Sequence, residues 1–176
     1  MTVPAMKAFL IRHSHALADS DDARRVLSAQ GREMTRQVAS FLKSSGAVSS
    51  VRAVWHSPLA RARETAELLI KELELDVLLI EAPGLLPTDD PASVADRLDN
   101  ASDPVMIVGH EPQLGVLATT LVRGKTRPVV FEFKKTAVLA LERTGGRHKS
   151  SGRACWRVRW HFSPELLSAK APGSPN

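Results

Sequence analysis

The chain has 176 residues and a formal net charge of +5, set by 24 Lys and Arg against 19 Asp and Glu. That length is most simply one domain with a proper core, and the basic balance suits an anionic partner without dictating a fold. The lone cysteine, Cys155, excludes an internal disulfide framework, and no apolar run approaches the ~20 residues of a membrane span.

Residues 7–11 read as the first strand, apolar on successive positions from Ala8 to Ile11 as expected of a parallel strand buried on both faces. It leads into Arg12, His13 and Ser14. The polar stretch 14–22, with Asp19, Asp21 and Asp22, reads as a loop. A helix follows, with Ser28 as its cap, Met34, Val38, Phe41 and Leu42 at helical spacing, and Gly46 at its stop. A second strand over 51–55 ends at His56. Ser57-Pro58 then reads as the N-cap and first position of a helix whose inner face carries Leu59, Ala62, Ala66 and Leu69. Arg61 falls in its first turn, where a cation opposes the helix dipole. The same helix end favours an anion, so a cation there suggests a bound one.

A third strand is expected over 76–81, then a turn-rich segment with Asp89 and Asp90, and a short helix with Val94, Ala95 and Leu98 inward. The fourth strand, 105–108, runs into Gly109 and His110, and a helix with Leu114, Leu117, Ala118 and Leu121 on one face follows. The last part reads as a β-hairpin, 136–142 and 156–162, with a long, mobile, basic loop over 143–153. The pattern implies an α/β fold, a three-layer α/β/α sandwich. Its sheet is mostly parallel, with an antiparallel strand from the C-terminal hairpin. Residues 1–168 are read as one domain and 169–176 as a flexible tail. Residues 1–6 show no secretory pattern, so a cytoplasmic location is expected. The absence of a known nucleic-acid motif leaves neither nucleic acid nor membrane as an expected partner.

In open α/β sheets ligands bind at the carboxyl ends of strands. Three strand ends side by side would bring Arg12, His13, Arg61 and His110 to one point, a set suited to a phosphoryl group. Arg12 and Arg61 offer forked contacts to phosphate oxygens. His13, kept unprotonated by the arginines, could attack phosphorus, with a backbone carbonyl holding its second ring nitrogen. His110, if protonated, would add a donor. A metal site built on His13, His15 and His110 is the weaker reading, since no Cys or carboxylate motif supports it. Trp156, Trp160 and His161 alternate along a strand and read as packing, and His56 as a strand end.

Leu10-Ile11-Arg12-His13, Ser57-Pro58-Leu59-Ala60-Arg61-Ala62 with Thr65-Ala66, and Val108-Gly109-His110 together resemble the histidine phosphatase superfamily. The short length and the lack of a large cap look like its protein-phosphohistidine phosphatases. The resemblance implies a phosphoglycerate-mutase-like fold and a metal-independent phosphatase in which His13 carries the phosphoryl group. Arg12, Arg61 and His110 would line the phosphate pocket, and no cofactor is implied. The superfamily often has Gly where this chain has Ser14, and that hydroxyl is read as a further phosphate donor. Asp89 and Asp90 are the candidate general acids, in no motif that matches. A phosphorylated imidazole leaves more easily than an alkoxide, so a missing acid favours a phosphohistidine substrate. The implied partner is a phosphorylated protein, such as a histidine-containing phosphotransfer domain, or a small phosphorylated metabolite. A sugar or nucleotide phosphomonoesterase and a non-catalytic phosphate-binding module are the alternatives. A mutase would want a larger enclosing cap than the segment 82–100 supplies.

Overall fold

The computed structural model describes residues 5–168; the expected tail, 169–176, lies outside them. Strand β1 (Lys7–Arg12) lies inside a six-stranded sheet. It pairs in parallel with β4 (Val105–Gly109), and β4 in turn with β2 (Ala53–His56). Strand β3 (Leu78–Glu81) continues the parallel part as its edge. On the other side of β1 run the antiparallel β5 (Val138–Arg147) and β6 (Ala154–Phe162), giving the order β3-β2-β4-β1-β5-β6.

The pleat of β1 explains the two cores. Phe9 and Ile11 face one side, with α1 (Ala29–Ser45) and α2 (Ala60–Leu73) contributing Val38, Leu42, Ala62, Ala66 and Leu69. Ala8 and Leu10 face the other, with α3 (Ala92–Asn100) and α4 (Gln113–Arg123) contributing Val94, Leu98, Leu114, Leu117 and Leu121. Successive residues of a strand face opposite sides, so a central strand must be apolar throughout. The fold is the expected three-layer α/β/α sandwich. A 3-10 turn at Asp22–Arg24 and a short α5 (Glu165–Ser168) complete it. No helix among the described residues is long and apolar enough to cross a membrane.

Three local expectations need correction. Ser57 does not cap α2: the helix begins at Ala60 after Leu59, and the Ser57 hydroxyl turns toward His110. Phe41 is not in the core; it is 43% exposed and stacks on Phe162 with ring centroids 4.6 Å apart. The segment 143–153 is not a long free loop. Strand β5 runs on to Arg147, and the turn is docked on the C-terminal end of α3. Arg143 Nη1 donates to the carbonyls of Leu98 and Asp99, Arg153 pairs with Asp96 at 2.7 Å, and Trp156 Nε1 donates to Asp99. Cations are stabilising over the carbonyl end of a helix, and this tertiary match outweighs the loop-like composition.

Gly31, in the first turn of α1, packs directly on the loop after β1. A Cβ there would lie 2.1 Å from the His15 carbonyl oxygen. An Ala would gain about 1 kcal/mol of helix propensity. The clash with backbone costs about 1–3 kcal/mol and wins. Gly31→Ala is therefore expected to lower the urea unfolding midpoint and, by displacing residues 14 and 15, to lower turnover as well.

Candidate active site

The parallel register sets the site. Arg12 lies beside Gly109, and His56 beside Val108, so all three strands end at one level. The chain after each end is tied to its neighbour: His13 N–H donates to the Gly109 carbonyl and Ser57 N–H to that of Val108. Residues 13, 57 and 110 are thereby brought together. The rings of His13 and His110 stand 4.8 Å apart between centroids.

His13 is 8% exposed, and its Nδ1 lies 2.7 Å from the carbonyl oxygen of Ser14. A carbonyl only accepts, so Nδ1 carries the hydrogen and Nε2 keeps its lone pair. Burial, then the positive charges of Arg61, Arg12 and Lys135, outweigh that hydrogen bond and hold His13 down to about 4. His110 is pushed down to about 3, by burial first and then by His13 and Arg61. Both rings are neutral near pH 7, so His110 is an imidazole and not the cation that sequence reasoning allowed. Its Nε2 bonds the Ser57 hydroxyl at 2.7 Å, while its buried Nδ1 has no partner among the described residues. The Ser57 oxygen already accepts from Leu59 N–H.

Arg12 is clamped. Its Nη1 donates to the Phe133 carbonyl at 2.7 Å, and Phe133 N–H donates to Glu111 Oε1. Burial pushes the Glu111 carboxyl up, against the hydrogen bonds it accepts from Phe133 and Gly115. Arg61 is 5% exposed; its Nη1 and Nη2 donate to the Asp22 carbonyl and carboxylate, at 2.8 and 3.0 Å. Arg61, then Arg25, holds the Asp22 carboxyl below the usual range, so Asp22 is ionised at neutral pH and has no proton to give. The Nε of both arginines are buried and unpaired among the described residues. Such donors cost free energy unless an acceptor meets them.

Ser14, expected to face a phosphate, is fully buried and otherwise engaged. Its hydroxyl donates to the Gly31 carbonyl at 2.8 Å and accepts from Thr136 Oγ1 at 2.7 Å, and its N–H donates to Thr65 Oγ1. Asp89 and Asp90 line a cleft with Pro58 and Gly84. There they accept from the N–H groups of Leu86 and Ala92, and no hydrogen bond or ion pair among the described residues joins them to the histidine cluster. His56 repeats the His13 arrangement, its Nδ1 2.8 Å from the Ser57 carbonyl. His15 Nδ1 bonds the Ser28 hydroxyl at the helix cap. No group of three or more His, Cys, Asp or Glu with metal-binding geometry occurs among the described residues. Asp22, Glu111, Thr136 and Lys135 were not legible as site residues, although the i,i+3 pair Asp22–Arg25 hinted at a structured turn.

The chain is similar in sequence and in fold to known phosphatases. Residues 9–85 match the sequence model of the Histidine phosphatase superfamily (branch 1). Phosphohistidine phosphatase SixA of Escherichia coli (strain K12) is 30% identical over 172 residues, covering 94% of this chain and 99% of that protein. The structure of the protein histidine phosphatase SixA complexed with tungstate superposes with a TM-score of 0.76 at 27% identity, covering 92% and 99% of the two chains. A mycobacterial glucosyl-3-phosphoglycerate phosphatase shares the fold at a TM-score of 0.58 and 17% identity, covering 90% and 99%.

Proposed function

This chain belongs to the histidine phosphatase superfamily, and we propose that it is a metal-independent phosphatase that removes the phosphoryl group from protein phosphohistidine by way of His13. The observation that carries the reading is the neutral His13 ring, Nδ1–H committed to the Ser14 carbonyl and Nε2 left with its lone pair between two arginines.

In the first step Nε2 forms a bond to phosphorus as the bond from phosphorus to the substrate's imidazole nitrogen breaks. The substrate ring, protonated beforehand by solvent at its other nitrogen, takes the bonding pair and departs as neutral imidazole. In the second step water attacks phosphorus, the bond to Nε2 breaks, and phosphate leaves with the water's oxygen. Arg12 and Arg61 neutralise the equatorial oxygens, and His110 adds an N–H donor; such electrostatic help is the main protein contribution to phosphoryl transfer. The clamps on Arg12 and Arg61 fix both guanidinium groups before substrate arrives. Ser14 acts in this scheme by positioning the nucleophile loop rather than by touching phosphate.

The substrate class follows from the acid. Asp22 is held ionised, and Asp89 and Asp90 are taken up by backbone N–H groups. An alkoxide leaving group needs a placed proton donor; imidazole leaves neutral after protonation by solvent. The near full-length relative bears the name of a phosphohistidine phosphatase, and its structural counterpart holds tungstate, an oxyanion of phosphate's shape. The second reading, a small-molecule phosphomonoesterase, draws on the mycobacterial neighbour and on a cleft of about 580 Å³ beside Arg12, a size that admits metabolites.

The test compares a phosphohistidine-bearing phosphotransfer domain with an aryl phosphate, both in the presence of chelator. Hydrolysis of the phosphohistidine with kcat/KM at least about tenfold above that of the aryl ester is expected, since only the ester demands the missing acid. Preference for the ester favours the second reading, and loss of all activity on chelation refutes metal independence.

A further inference from the structure

The segment 133–137 does more than hold Arg12. Its Phe133 end is fixed by Glu111 and its Thr136 N–H by the Arg12 carbonyl, and the Thr136 hydroxyl donates to Ser14. Thr136 has φ 65, a left-handed conformation that is a true outlier for a β-branched residue. Strain of this kind persists where the surroundings over-determine it, most often at functional sites.

The residue that this turn presents is Lys135. It lines the same cleft of about 580 Å³ as Arg12, Ser14, His15 and Thr136, whose wall also carries Lys134 and Glu165. Its charge acts on the His13 ring, and the charges of Arg12 and Arg25 act on it. Partial burial, then those two arginines, lowers its ammonium from the usual lysine value. Among the described residues it has no hydrogen-bond or ion-pair partner, whereas its neighbour Lys134 pairs with Glu132. Lys135 is an exposed cation that shares the wall of one cleft with Arg12, where a single anion can meet both.

We propose that Lys135 is a further substrate-binding residue of the site, its ammonium meeting an oxygen of the phosphoryl group from the cleft side of Arg12. This deepens the phosphatase reading and rests on it. Arg61 and His110 hold the phosphoryl group from the α2 and β4 side, and Lys135 closes the opposite one. A dianionic phosphoryl group then meets three full positive charges, Arg12, Arg61 and Lys135, which offsets the neutrality of His13 and His110.

The test is binding of inorganic phosphate to the full chain, followed by calorimetry at neutral pH and low salt. Lys135→Ala is expected to weaken binding by about fivefold to tenfold, the size of one partly solvated charge contact. Lys135→Arg, which keeps the charge, is expected to stay within about twofold of the wild type. On a phosphohistidine substrate, Lys135→Ala is expected to raise KM more than it lowers kcat, because the charge is felt by bound substrate and transition state alike. Equal phosphate affinity in wild type and Lys135→Ala overturns the proposal. So does an equal loss in Lys135→Ala and Lys135→Arg, the mark of a merely structural lysine. Phosphate binding does not depend on turnover. A chain that binds phosphate through Lys135 but hydrolyses nothing refutes the catalytic reading and leaves this one standing; a chain that binds no phosphate overturns both.

Discussion

His13→Asn is expected to lower turnover at least about a thousandfold while the chain stays folded, because it removes the nucleophile and little else. The amide nitrogen of Asn stands where Nδ1 of His13 stands, so it can keep the 2.7 Å hydrogen bond to the Ser14 carbonyl. What disappears is Nε2, the atom with the free lone pair. The wild-type ring is neutral, so its removal takes no positive charge from the phosphate pocket, and Arg12 and Arg61 retain their clamps. Phosphate affinity should therefore change by no more than about threefold, within the reach of an altered uncharged contact. Rapid quenching with a labelled phosphohistidine protein distinguishes the steps. The wild type should show transient phosphate on the chain, stable to base and labile to acid, and the variant none. Residual turnover above about a tenth of wild type would remove His13 from the role of nucleophile, since general effects of a point change rarely leave so little trace of a lost covalent step.

The parts of this site that could be read from the sequence are those set by local pattern. Arg12, His13 and His110 each follow a run of apolar residues that only a buried parallel strand explains, and Arg61 is placed by the register of α2 against the apolar Ala62, Ala66 and Leu69. The strand ends then converge because the sheet is parallel there. What could not be read depends on contacts between distant positions. Asp22 reaches Arg61 across 39 residues, and Phe133 reaches Arg12 across 121. Neither pair carries a local signature, because an acidic loop residue and a backbone carbonyl look the same whether paired or solvated. Ser57-Pro58 illustrates the opposite error. The dipeptide has the form of a helix start, but the serine hydroxyl bonds the buried His110 imidazole, and the helix begins two residues further on without a side-chain cap. The hairpin turn over 143–153 misled by composition for the same reason: Arg143 and Arg153 are consumed by Asp96, Asp99 and the last carbonyls of α3, a match invisible along the chain.

The second large effect is expected in acid. His13 and His110 are held to about 4 and about 3 in the folded chain, chiefly by burial, and return to near 6.5 when it unfolds. Below 6.5 the unfolded chain binds more protons than the folded one, so stability falls as pH falls. The contribution of His13 is present in full above 6.5 and is lost by about pH 4; that of His110 continues to be lost to about 3. For His13 alone this is about 3 kcal/mol, against a total stability of about 5–15 kcal/mol for a domain of this kind. Two carboxyls act with the same sign but only at the acid end: Asp22, lowered by Arg61, and Glu142, lowered by Arg157, lose stabilisation as pH falls below their ordinary values of 3.8 and 4.5, whereas the histidine loss begins near 6.5; Glu111, raised by burial, acts with the opposite sign. His161 is also lowered by burial and remains as a common background in every variant. Urea unfolding between pH 7.5 and 4 should therefore show a steep loss in the wild type and a shallower one in His13→Asn, the variant keeping more of its neutral-pH stability at pH 5. The same protonation blocks chemistry, so kcat/KM of the free enzyme should fall as pH drops through about 4. A wild-type stability that stays flat from pH 7 to 4 would mean that burial does not keep these rings neutral, and the lone pair assigned to Nε2 of His13 would lose its physical basis.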